Sequence, residues 1–131
     1  SGLSWYKEYL VLLPQYPFGM GSTSNDGSLF VLKKSMLDEY LANPENHAPL
    51  TPDSLKIFAE GLTEYNHRGS GYESIGFIED NAYFTIEAID SPTKTYLVKG
   101  LIDSVKMQIT LDASTLTQIP LQTDINNIGY E

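Results

Sequence analysis

The chain has 131 residues, is 41% hydrophobic and 11% aromatic, and carries 17 acidic against 8 basic residues, a formal charge of −9. This size suits one ordinary domain or two repeat units sharing a core, and the even spread of apolar residues excludes an intrinsically disordered chain. The negative charge argues against nucleic acid and anionic membrane surfaces and leaves cations, neutral ligands or basic proteins as partners, while the absence of cysteine removes disulfide and thiolate chemistry.

In chain order, the first signal is a pair of apolar runs, residues 3–6 and 9–13, separated by the polar pair Lys7-Glu8 and closed by Pro14. This reads as a β-hairpin whose second strand is buried on both faces. Residues 16–28 (Pro17, Gly19, Gly21, Ser22, Ser24, Asn25, Gly27) form a loop by composition. A third strand is expected at residues 29–32. Met36, Leu37, Tyr40 and Leu41 then stand at helical spacing, so one or two helical turns are expected over residues 35–41, ended by Asn43-Pro44. A fourth strand is expected at residues 55–58, followed by a loop over 64–71 that holds His67 and Arg68. A second hairpin is expected around Glu79-Asp80-Asn81, with its second strand at 82–88. Further strands are expected at 95–98 and 116–119, and the alternation at 107–111 extends the hairpin between them.

These elements repeat. Residues 3–15 match 75–88 with one extra residue at the turn, 30–34 match 96–100, 50–55 match 111–116, and Gly71-Tyr72-Glu73 returns as Gly129-Tyr130-Glu131. A fixed-order repeat of this kind means stacked supersecondary units. The expected fold is therefore all-β: one module of two four-stranded antiparallel units, about residues 3–73 and 74–131, of the β-propeller blade type. An eight-stranded β-sandwich is the alternative. Residue 74 aligns with Gly2, so the chain stops where its own beginning would follow on. Two blades cannot close a ring, which takes roughly four to eight. The expectation is a homotrimer completing a six-bladed ring, or a piece of a larger propeller, with the exposed sheet faces driving association. The start at Ser1-Gly2 without Met reads as processing or as the loss of upstream sequence. No apolar run approaches the roughly 18 residues of a membrane span.

The runs Gly71-Tyr72-Glu73-Ser74-Ile75-Gly76-Phe77, Ala82-Tyr83-Phe84-Thr85-Ile86-Glu87-Ala88 and Thr95-Tyr96-Leu97-Val98-Lys99-Gly100 resemble the blade pattern of the phytase-like (esterase-like) β-propeller proteins. Residues 111–116 and 124–131 look like that family's connection between blades. The resemblance spans most of residues 71–131 and, more loosely, 3–58. It implies a six-bladed propeller, an extracytoplasmic location (periplasmic or secreted), and calcium or phosphoester chemistry at the channel mouth. The chain departs from the calcium phytases in lacking their dense phosphate-binding clusters.

In a blade, ligand sites collect on loops that share one rim. That rule gathers Gln15, His67, Arg68, Glu73, Glu87, Asp90, Asp124, Asn126 and Glu131. Glu73 and Glu131 hold the same place in successive units and, with Glu87, are candidate ligands for Ca²⁺, which takes about six to eight oxygens. The alternative is that each repeated Glu accepts backbone N–H groups and fixes the turn between units. Glu87 ends a buried strand, where an acid is costly without a partner, and it lies outside the repeat consensus. His67-Arg68 is the adjacent pair with acid/base and anion-binding capability, so Glu87, His67 and Arg68 are the catalytic candidates and Gln15, Asp124 and Asn126 the ligand-binding ones. His47 has no recognisable partner. No nucleophile elbow, metalloprotease helix, P-loop or EF-hand loop occurs. Two functions are expected on this basis: a binding or scaffold module with a small-molecule ligand or Ca²⁺ at the rim, or an esterase-like or phosphatase-like hydrolase using the same carboxylates.

Overall fold

The computed structural model describes residues 2–66, 71–88 and 94–120. Along the chain these form β1 (Gly2–Tyr6), β2 (Tyr9–Leu13), β3 (Asp26–Lys33), α1 (Lys34–Ala42), β4 (Asp53–Phe58), a 3₁₀ turn (Thr63–Tyr65), β5 (Gly71–Ile78), β6 (Asn81–Ala88), β7 (Lys94–Asp103) and β8 (Gln108–Ile119).

The two expected hairpins turn in the same way. Lys7-Glu8 and Glu79-Asp80 are two-residue connections, between Tyr6 and Tyr9 and between Ile78 and Asn81. Their first residues have φ of 50° and 55°, the left-handed backbone that two-residue hairpins use to match the twist of their strands. The extra residue of the second unit is thus not in the turn. It is Asn81, paired inside the strand with Ile78. Because side chains alternate with a period of two, a one-residue slip exchanges the faces of a strand. Ile75 is 8% exposed and faces the core, whereas its sequence match Leu3 is 65% exposed. In the second strands the matches agree: Val11 and Phe84, and likewise Leu13 and Ile86, are all buried.

Strands β1 to β4 form one antiparallel meander and β5 to β8 a second. The two join through a short parallel pairing of β4 with β8, Lys56 with Gln108, Ile57 with Ile109 and Phe58 with Thr110. The result is one eight-stranded mixed sheet in the order β1-β2-β3-β4-β8-β7-β6-β5. It curls into a nearly closed, barrel-like form. At the seam β1 lies against β5 without joining its ladder. A Cβ on Gly2 would come within 3.2 Å of the Glu73 carbonyl and the Ser74 Cα, and the Tyr6 and Phe77 rings meet at 5.1 Å.

Both meanders turn alternate residues into a single core that includes Val11, Leu29, Leu55, Ile57, Phe84, Ile86, Val98 and Ile109. Strand β8 is longer than expected because residues 112–116 fold into a local bulge without ending it. Asp112 Oδ1 accepts the Ser114 backbone N–H at 3.0 Å and its hydroxyl at 2.6 Å, and Thr115 Oγ1 accepts the Lys99 N–H at 2.9 Å. A hydroxyl thereby replaces a backbone carbonyl in the ladder. Helix α1 extends one residue beyond its expected span at each end and buries none of its residues. Its Lys34–Asp38 ion pair (2.6 Å) is exposed and contributes little. Among the described residues no helix is long and apolar enough to cross a membrane.

Candidate functional site

Antiparallel register places Gly71 of β5, Glu87 of β6, Thr95 of β7 and Ile119 of β8 in one row across the second meander. Glu87 alternates with the buried Ile86 and Ala88, so its side chain projects from the outer face. Glu73 is the extra residue of a β-bulge between Tyr72 and Ser74. Bulges re-aim side chains, and this one sends the Glu73 carboxylate back over Gly71. There a Cβ would stand 2.5 Å from Glu73 Oε1 and 3.0 Å from Gln15 Cγ. A larger residue there would push these two flexible side chains aside. The chain leaving β2 completes the arrangement: the Gln15 carbonyl accepts the Tyr72 N–H at 2.9 Å, and its side-chain amide donates to Glu73 Oε1 at 3.4 Å.

Three of the residues singled out in sequence, Gln15, Glu73 and Glu87, therefore meet around Gly71. Glu87 Oε1 is shielded from solvent. Thr95, its cross-strand neighbour, is fully buried, and its hydroxyl has no hydrogen-bond partner among the described residues. Thr95 carries no signal in sequence, since threonine is an ordinary strand former. Gly71 did carry one, as the first residue of the repeated Gly-Tyr-Glu, although it was expected at the end of a loop. His67, Arg68, Asp90, Asp124, Asn126 and Glu131 lie outside the described residues. His47 stacks on Tyr40 at 3.6 Å beside a cavity of about 190 Å³ under α1.

A second polar cluster ties the turns of the two hairpins together at the seam. The Tyr6 hydroxyl donates to Asp80 Oδ1 at 2.6 Å, and Lys7 Nζ stands 3.2 Å from the same oxygen. The Tyr6 hydrogen bond, and then the Lys7 one, hold the Asp80 carboxyl below its ordinary range; Tyr6 and then Asp80 raise Lys7. Elsewhere, burial pushes the Tyr72 hydroxyl well above its ordinary value. That hydroxyl donates to the buried Asn66 at 3.0 Å, which fixes the 3₁₀ turn against β5.

Among the described residues no group of three or more His, Asp or Glu side chains is placed to hold a metal ion. Compared with protein-family models, with curated proteins and with solved structures, the chain shows no significant match.

Proposed function

We propose that the chain is a binding and scaffold module made of two blade-like four-stranded units, and that it associates with further copies of itself through the outer face of its first meander. The observation carrying this reading is a pair of outward apolar rows. Leu3, Leu12 and Phe30 line up across β1, β2 and β3, and Trp5, Leu10 and Leu32 do so in the next outward row. Leu3, Trp5 and Phe30 are 65%, 48% and 41% exposed, while Leu32, at the end of the second row, is already buried. A contiguous apolar sheet face of this kind is normally covered in a working protein. In the second unit the sequence matches of Leu3 and Trp5, Ile75 and Phe77, pack into the core. These positions therefore have the chemistry of a packing surface.

The solution mass tests it. Light scattering on the full chain at rising concentration is expected to show assemblies, a closed ring of three copies weighing about three times 14.6 kDa. Trp5→Glu is expected to weaken association about tenfold or more, because it places a charge on the apolar face. A monomer at every concentration would overturn the proposal. Trp5 is the sole tryptophan, so a blue shift of intrinsic fluorescence on concentration is the companion signal.

The cluster around Gly71 supports a cation at the rim as part of the same reading. Glu73, Glu87, the Gln15 amide oxygen and the Thr95 hydroxyl are hard oxygen donors of the type Ca²⁺ takes, and the buried, unpartnered Thr95 hydroxyl gives such an ion a reason to sit there. Saturating Ca²⁺ is expected to raise the thermal midpoint, and Glu87→Gln to remove that rise. A midpoint indifferent to Ca²⁺ would discard the ion and leave the scaffold reading intact. The hydrolase alternative draws on His67 and Arg68. Turnover of a phosphoester or carboxylester that disappears in Glu87→Gln would favour it.

A further inference from the structure

We infer that the outer face of β3 and β4 carries a binding site for a small zwitterion, an α-amino acid with an apolar side chain. A cleft of about 440 Å³ opens where the chain before β3 folds over the start of that strand. This is within the size range of small-molecule sites. Its wall is fixed in advance. The Ser28 N–H donates to the Pro17 carbonyl at 2.9 Å, and Phe18 packs on Tyr72 at 5.5 Å. A Cβ on Gly27 would stand 2.6 Å from the Pro17 carbonyl and 2.7 Å from the Phe18 ring, so glycine is what allows the wall to lie this close. The half-buried Phe58 supplies the apolar surface, whereas Phe18 lines the cleft but is itself buried in the core.

The charges are arranged in an unusual way. Register pairs Asp26 with Phe58 and Ser28 with Lys56, which makes Asp26 and Lys56 diagonal neighbours, about 7–8 Å apart. Both line the cleft. Lys56 Nζ is 3.4 Å from Ser28 Oγ, and among the described residues neither Lys56 nor Asp26 forms an ion pair. An α-amino acid carries an ammonium and a carboxylate on one carbon. With a hydrogen bond of about 2.9 Å at each end, it spans that diagonal: carboxylate on Lys56 and Ser28, ammonium on Asp26, side chain toward Phe58. The pair also selects against other ligands, because Asp26 repels a plain carboxylate and Lys56 a plain amine. The inference rests on this cleft alone and is independent of association through β1–β3.

Calorimetric titration of the full chain with L-phenylalanine tests it against two analogues, 3-phenylpropionate without the ammonium and 2-phenylethylamine without the carboxylate. Saturable one-to-one binding of the amino acid is expected, with each analogue about tenfold weaker or more. Lys56→Met and Asp26→Asn, both at exposed positions, are expected to cause a similar loss without moving the thermal midpoint. No saturable binding at millimolar concentration would overturn the site. Equal binding of 3-phenylpropionate, or indifference to Asp26→Asn, would overturn its zwitterionic character. If either variant lowers the midpoint, the comparison of the three ligands on the unaltered chain decides.

Discussion

At the scale of single residues, the contact of Tyr6 with Asp80 is a pH-dependent fastener. The Asp80 carboxyl is held below its ordinary value in the folded chain, so folding favours its ionised form. That stabilisation is present above the unfolded-state pKa and is lost as pH falls through the lower, folded value. Lys7 runs the other way: its contribution is present below its ordinary value and lost only as pH rises through the raised one. Tyr6→Phe keeps the ring on Phe77 and removes the hydroxyl. The gap in urea midpoint between the parent and this variant is expected to be largest near neutrality and to shrink below about pH 4. A gap that stays constant with pH would show that Asp80 is not the partner that matters. Gly71 and Gly27 act differently, through absent atoms, since each lets another segment lie directly on a strand.

Among elements, what was legible in sequence was the existence of strands, since apolar runs closed by Pro14 or by polar pairs point to little else. Helix α1 was legible for the same reason, through Met36, Leu37, Tyr40 and Leu41. Facing was not legible in β1 and β2. Residues 9–13 are apolar throughout, so no period of two marks the inner side, and a single inserted residue, Asn81, decides which side of the matched strands meets the core. The joining of β4 to β8 was equally hidden, because three residue pairs carry it and no local pattern announces them. The candidate sites divide likewise. Gln15, Glu73 and Glu87 were visible as acids and amides at strand ends. The placing of Ser28 beside Lys56, or Glu87 beside Thr95, exists only through register. Facing has a measurable consequence. Phe84 is fully buried edge-on to Tyr72 at 5.9 Å, so Phe84→Ala is expected to cost about 3–5 kcal/mol. Leu3→Ala, on the outer face, is expected to change the unfolding free energy of the dilute chain by under about 0.5 kcal/mol. Urea unfolding of both variants checks the assignment of faces, and equal losses would reverse it.

For the whole molecule, core and surface are unevenly shared between the meanders. The second packs Ile75 and Phe77 inward, though Ile78 and Leu101 stay exposed, while the first keeps an apolar outer face and, between β3 and β4, a charged cleft. One module thus offers two separate places for a partner, on neighbouring parts of one curved sheet. The seam between β1 and β5 gives this sheet a property that a fully hydrogen-bonded cylinder lacks. It is a strip with two ends brought together, and the first hairpin is the end held by side chains more than by a ladder. In amide hydrogen exchange, the seam-side amides of β1 are therefore expected to lose protection well before those of β6 and β7, which have a strand on either side. Uniform protection across all eight strands would mean that the strip is sealed. If it is not, hairpin β1–β2 is the piece that one chain can lend to another, because it can leave its own sheet without breaking the sheet behind it.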